Sequence, residues 1–241
     1  MPARFHYPES FPVADSFPLP PALAHHAVRV LRLADGAPVV LFNGEGGEVH
    51  AHLVLRGREA WVEDVRHVAC ERESPLDITL VQALAGGDKM DWIVQKAVEL
   101  GVRAIQPLTA ARSVVRLDGA RADKRLAHWQ QIAVAACEQC GRNRVPMVLP
   151  LRSLDAYLAQ DDGHTRWALL PQAELRLADC TLSPDAAHAL LVGPEGGWAP
   201  EEEARLAAAG VTGVRCGPRI LRTETAGLAA LAVVQSLWGD F

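Results

Sequence analysis

The chain has 241 residues, a formal net charge of −5, and 49% hydrophobic against 22% charged residues. That length allows one large domain or a small domain plus a medium one, and the composition is that of a soluble globule rather than a disordered or fibrous chain. No apolar run approaches the roughly 18 residues of a membrane span, and the opening MPARFHYPES lacks the apolar core of an export signal, so the expectation is a soluble cytoplasmic protein with no membrane partner.

Up to about residue 72 the pattern is of short strands separated by turn chemistry. VVLF (39–42) runs into Asn43-Gly44, a strong hairpin signal, and Gly46-Gly47 leads to EVHAHLVL (48–55), which alternates as a half-buried strand does. Residues 60–65 give another such run, and closely spaced strands of this kind suggest a small barrel. ACERESPLD (69–77) is polar, contains a proline and reads as a linker.

From Asp77 the rhythm becomes strand–helix alternation. DITLVQALA (77–85) reads as a strand. Asp88 is placed to cap a helix over 89–100, with Met90, Ile93, Ala97 and Leu100 inward and Gly101 ending it. A strand is expected over 102–108, a long helix over 121–140, a short strand over 145–149 and a helix over 153–160. TRWALLP (165–171), AHALLVG (187–193) and VTGVRCG (211–217) read as further strands. Pro200 followed by three glutamates marks a helix start, and 224–238 forms a last helix that is apolar nearly all round and therefore buried on most sides. The alternation predicts an α/β domain with a mainly parallel sheet.

Five cysteines in a chain without an export signal argue against a disulfide framework. Cys137 and Cys140 form a C-x-x-C, but within a continuous helical pattern and without a second pair, so they read as small apolar side chains. His25, His26 and the His50-x-His52 pair lack the partners that would complete a metal site, and none is assigned. Between Arg103 and Arg152, nine basic residues face three acids, a local +6 in a chain of −5. That stripe is either a phosphate footprint or a solvated helix face. No G-x-x-x-x-G-K-[ST] loop occurs, which weakens a nucleotide-hydrolysing reading.

Two segments carry the most information. LLVGPEGGWAPEEE (190–203) and CGPRILRTETA (216–226) each follow an apolar strand, place glycines and a proline at its end, and open into a helix. Strand ends of this kind are where open α/β sheets bind ligands, and bare glycine backbone permits close approach. The pair resembles the ribosomal RNA small subunit methyltransferase E family. KMDWIVQKAVELGVRAIQPLTAARS (89–113), CEQCGRNRVP (137–146), the N-terminal RFH (4–6) and HHAVRVLRLADGAPVVLFNGEGGE (25–48) are similar to its other blocks, in family order along nearly the whole chain.

The resemblance implies a PUA-like β-barrel RNA-binding domain over 1–72 and a SPOUT methyltransferase domain over 76–241, an α/β fold with a deep C-terminal trefoil knot. It implies a homodimer formed through the C-terminal domain and an S-adenosyl-L-methionine (SAM) cofactor. The reaction would be methylation of N3 of a uridine in 16S rRNA, with free rRNA or the small ribosomal subunit as partner. The pocket would comprise Leu170 and Pro171, then Gly193, Pro194, Glu195, Gly196 and Gly197, then Cys216, Gly217, Ile220, Leu221 and Thr225, with Ile220 and Leu221 flanking adenine. N3 of uridine must lose its imide proton, which a carboxylate could take, or a cation could stabilise the oxyanion developing at O2 or O4. Glu195, Glu224 and Arg222 are the candidates; alternatively Glu224 and Thr223 cap the last helix with Arg222 paired to them. Arg4, Arg32, Lys89, Lys96, Arg112, Arg142 and Arg144 are candidates for RNA phosphates. Two other readings stay open: a SPOUT enzyme acting on another RNA position, and a non-catalytic RNA-binding ribosome-assembly factor.

Overall fold

The computed structural model describes residues 2–57 and 59–241. They fall into two compact units: residues through Glu73 together with Cys137–Val145, and Ser74–Ala136 together with Pro146–Phe241.

In the first unit β1 (Ala3–His6), β2 (Ser16–Pro18), β3 (Pro38–Phe42), β4 (Glu48–Arg56) and β5 (Glu59–Val68) form a five-stranded sheet in the order β1-β3-β4-β5-β2. A short helix α1 (Pro21–His25) runs into a π-helical turn over His26–Val30. β4 alternates as its sequence dictates: Val49, Ala51 and Leu53 join Phe5, Phe17, Leu41 and Val62 in one core, while His50 and His52 face solvent. The β3–β4 connection is a five-residue loop, 43–47, rather than a two-residue hairpin turn, and Gly44, Gly46 and Gly47 all adopt the left-handed backbone it requires.

The linear division at 72/76 leaves out the Cys137–Val145 segment, which groups with the first unit. Its attachment is ionic. Glu48, a strand residue with its side chain only 4% exposed, accepts from Arg4 Nη1 at 2.6 Å and Arg72 Nη1 at 3.2 Å. The Arg4 guanidinium continues to Asn143 Oδ1 at 2.7 Å and to the carbonyls of Gly141 and Arg142. Arg142 pairs with Glu73 at 2.5 Å, and buried Asn143 donates to the Cys70 carbonyl at 2.8 Å. Burial works to raise the Glu48 carboxyl, but hydrogen bonds from His50, Arg4, Cys70 and Arg72 outweigh it and hold the group far below the usual carboxylate range.

The second unit is a parallel sheet with helices. Its elements are β6 (Asp77–Ala83), α2 (Lys89–Glu99), β7 (Ala104–Thr109), α3 (Gly119–Cys140), β8 (Met147–Val148), β9 (Arg152–Ser153), α4 (Leu154–Leu158), β10 (Thr165–Leu169), β11 (Ala187–Val192), α5 (Pro200–Ala208), β12 (Thr212–Val214) and α6 (Thr223–Trp238), α3 ending within the segment grouped with the first unit. The order is β12-β10-β11-β6-β7-β8, with β9 pairing β7, and every pairing is parallel. The expected strands and helices occur, with shifted bounds. Asp88 precedes α2 but makes no side-chain cap, whereas Ser153 Oγ accepts from Ala156 N at 3.1 Å and does cap α4. α6 buries Gly227, Leu228, Ala230, Leu231, Val234 and Gln235, yet Ala226, Ala229 and Val233 are only half-buried and Leu237 is exposed.

Candidate functional site

Three neighbouring parallel strands deliver the two glycine-bearing segments to one place. β11 pairs with β10 and β10 with β12, in register through Ala168↔Leu191 and Leu169↔Val214. Parallel strands end on the same edge, so the loops that follow them must emerge side by side. They enclose a crevice of about 500 Å³, within the roughly 300–1,000 Å³ of pockets that bury small molecules. Gly196 and Ile220, which the sequence leaves 24 positions apart, line the same cavity.

Leu170, Pro171, Gly193, Pro194, Glu195, Gly196, Gly197, Cys216, Gly217, Ile220 and Leu221 all line it, as do Arg222 and Glu224. Thr225 lies off the lining; its N–H donates to the Arg222 carbonyl at 2.9 Å in the first turn of α6. A side chain at Gly197 or Gly217 would meet open space, so backbone is presented bare at both. Ile220 is 79% exposed at the rim, an apolar group facing the cavity mouth.

The 193–198 loop is tied down from several directions. Its Pro194 carbonyl accepts from Gly197 N at 2.9 Å, closing a turn. Glu195 Oε1 accepts from Gly86 N at 2.8 Å and from Lys89 Nζ at 3.0 Å. Burial acts to raise the Glu195 carboxyl, but these donors win and hold it below the usual carboxylate range. Lys89 also stands 3.6 Å from Glu224 Oε2, and its hydrogen bond to Glu195 lifts the ammonium above its ordinary value. Arg112 Nη1 donates to the carbonyls of Gly196 and Trp198, at 3.0 and 3.1 Å. Glu202, 2% exposed, bridges the loop's exit by accepting from Ala111 N at 2.8 Å and Ala199 N at 2.9 Å. A crevice whose backbone is fixed before a ligand arrives loses less freedom on binding.

The candidate phosphate-binding residues are therefore distributed. Lys89 and Arg112 line the crevice and hold its loop; Lys96 pairs with Glu99 at 2.8 Å. In the first unit Arg4, half-buried, pairs with Glu48, and Arg142, buried, pairs with Glu73, so both carry structural ties. Arg144 is exposed beside Glu71, and Arg32 is exposed with left-handed backbone, φ 54°. Gln82 and Trp198 carry no local signal of their role, and Glu202 reads only as one of three acids at a helix start; their partners lie far along the chain. Thr223, read from the sequence only as a cap, proves to be a buried link to the Gly193 carbonyl, 30 residues away.

The constellation also fits a nucleoside. Leu170, Val192, Val214 and Leu221 give apolar wall, and glycine backbone offers polar contacts to a ribose or adenine. Among the described residues no group of three or more His, Cys, Asp or Glu is arranged to hold a metal.

Known proteins share this arrangement. A family model described as an RNA methyltransferase domain matches residues 72–235, and one described as an RNA methyltransferase PUA domain matches residues 19–60. The ribosomal RNA small subunit methyltransferase E of Bacillus subtilis is 34% identical, covering 92% of this chain and 90% of its own. The crystal structure of the Neisseria gonorrhoeae ribosomal RNA small subunit methyltransferase E bound to SAM is 44% identical with a TM-score of 0.93, covering 100% of both chains. A Legionella pneumophila protein solved with the cofactor SAM bound is 34% identical at a TM-score of 0.94, again over 100% of both chains. The fold and site thus define an RNA methyltransferase. The chain belongs to the ribosomal RNA small subunit methyltransferase E family.

Proposed function

We propose that the protein is a SAM-dependent methyltransferase of the SPOUT class that methylates N3 of a uridine in 16S rRNA. The observation that carries this reading is the convergence of both glycine-bearing loops on one preorganised crevice, in a chain superimposable along its whole length on a SAM-bound relative. SAM supplies an electrophilic methyl group on its sulfonium. The protein must hold the pocket, exclude water and bring the uridine within attacking distance.

Within that reading each polar residue has a task. Arg222, exposed at the crevice, stabilises negative charge developing on O2 or O4 of the uracil. Glu224 accepts the N3 proton. Glu195, held below the usual carboxylate range by Gly86 and Lys89, is a poor base at neutral pH and serves to fix its loop. Exposed Arg32 and Arg144 contact phosphate, and the target base must be unpaired or turned out for its Watson–Crick edge to be reached.

The remaining expectations complete the proposal. The first unit acts as a PUA-like barrel that binds RNA, and the second carries out transfer in the cytoplasm. The 170–222 region closes a trefoil knot. A second copy of the chain covers the half-buried strip of Ala226, Ala229 and Val233 on α6 with exposed Leu237 beside them, since an apolar helix face left open calls for a partner. Titration calorimetry with SAM, followed by nucleoside analysis of small-subunit RNA incubated with protein and SAM, tests the reading. Binding followed by appearance of N3-methyluridine supports it; SAM binding with a different methylated nucleoside redirects it to another RNA position, and no SAM binding removes the enzyme.

A further inference from the structure

Gln82 is a polar side chain with no exposed surface, set in β6 between two parallel neighbours of the sheet. Such burial is unfavourable unless the amide is used. Gln82 Nε2 donates at 2.9 Å to its neighbour Ala83's carbonyl and at 2.9 Å to Thr223 Oγ1. A flipped amide would turn its oxygen toward the Ala83 carbonyl, so the orientation is fixed by chemistry. Thr223, 6% exposed, then has one hydroxyl proton left, and it goes to the Gly193 carbonyl at 2.6 Å. Gln82 and Val192 are register partners, which puts the amide one residue from the start of the crevice loop.

The close approach that allows this comes from Gly227, one turn further along α6. A Cβ there would stand 3.3 Å from Leu80 and Val192 side chains and 3.5 Å from Gln82. Glycine brings the helix near enough to the sheet for Thr223 to reach across. On the other side, a Cβ at Gly193 would meet the Trp198 indole at 3.2 Å, so Gly193 is held between the Thr223 hydroxyl and that ring.

We propose that Thr223 and Gln82 are positioning residues for the cofactor. Their relay sets the plane of the Gly193–Pro194 peptide, and with it the direction in which the 194–197 turn presents its backbone to the crevice. The inference rests on the SAM reading above. Gln82 lies off the crevice wall and Thr223 borders it; both act through the Gly193 carbonyl.

The test compares full-length Thr223→Val and Thr223→Ser with the unaltered protein by SAM titration calorimetry well below each melting temperature. Valine keeps the shape and removes both hydrogen bonds, and it is expected to weaken SAM binding about tenfold or more, with serine within about threefold of the unaltered protein. A purely structural threonine would lower the melting temperature and leave the affinity of the still-folded protein unchanged, and that result overturns the proposal. Should the valine variant not fold, Gln82→Met removes the donor at similar length and is judged by the same affinity criterion, with Thr223→Ser as the retained-function control. Failure of the unaltered protein to bind SAM refutes the cofactor reading itself, an outcome distinct from normal binding by the variants.

Discussion

Lys89 Nζ lies 3.0 Å from Glu195 Oε1, and that ion pair joins the first residue of α2 to a loop more than a hundred residues later. The pairing gives the two crevice glutamates different characters. Glu195 accepts from both Gly86 N and Lys89 Nζ; Glu224 stands farther from the same ammonium, at 3.6 Å. Glu224→Gln is expected to lower kcat about 100-fold or more while SAM affinity stays within about threefold, because a proton acceptor is lost and the pocket is not. Glu195→Gln is expected to do the reverse, weakening SAM binding with kcat at saturation largely kept. Steady-state kinetics and calorimetry on both variants separate the roles.

Arg222 ends in the crevice, and its backbone carbonyl accepts from the N–H groups of Thr225 and Ala226 in the first turn of α6. Its backbone therefore serves the helix whatever side chain it carries. Arg222→Ala should fold normally and bind SAM normally while kcat falls about 100- to 1,000-fold, the scale of losing one charge-stabilising group at a reacting centre. Methylation at full rate by that variant would withdraw the assignment.

Gly193 and Gly197 make different predictions for the same substitution. At Gly193 a Cβ would press on the Trp198 ring at 3.2 Å, so Gly193→Ala should destabilise by about 1–3 kcal/mol through overpacking and also weaken SAM binding. At Gly197 there is open space but φ is 68°, so Gly197→Ala should cost only the roughly 1 kcal/mol of a left-handed alanine. Thermal or denaturant unfolding of the two variants gives the comparison.

Glu48 makes the first unit sensitive to acid. Its carboxyl is held far below the ordinary 4.5, so its contribution to stability is complete above that value and disappears as pH falls toward the lowered one. Replacing it strands Arg4, whose side chain is 12% exposed. Glu48→Gln is therefore expected to lose about 3 kcal/mol at pH 7, with the gap to the unaltered protein narrowing steadily below about pH 4. Denaturant titrations at several pH values measure that gap; one that stays constant with pH would show that Glu48 is not charge-coupled to its partners.

Local features of the chain carried a large part of this picture. The strand–helix rhythm after Asp77 is an apolar periodicity, and glycines at the ends of two strands mark where backbone must be bare. Both are written in adjacent residues. The ties that shape the site are not. Gln82 meets Thr223 across 141 positions, and Glu202 meets Ala111 across 91. Nothing near either residue signals such a partner, and Glu202 reads locally as one of three acids at a helix start. The same limit explains Arg4 and Arg142. Composition shows cations, and only three-dimensional placement shows that Glu48 and Glu73 already hold them. The inclusion of Cys137–Val145 in the first unit is equally invisible, because a helix that passes from one unit to the other has no break in its sequence pattern.

The central claim is transfer of a methyl group to one atom of one rRNA base. Mass spectrometry of nucleosides from 16S rRNA, isolated from otherwise identical cells with and without this protein, tests it most directly. N3-methyluridine should be present in the first sample, absent in the second, and restored by the unaltered protein but not by Arg222→Ala. An unchanged N3-methyluridine content after loss of the protein would contradict the account.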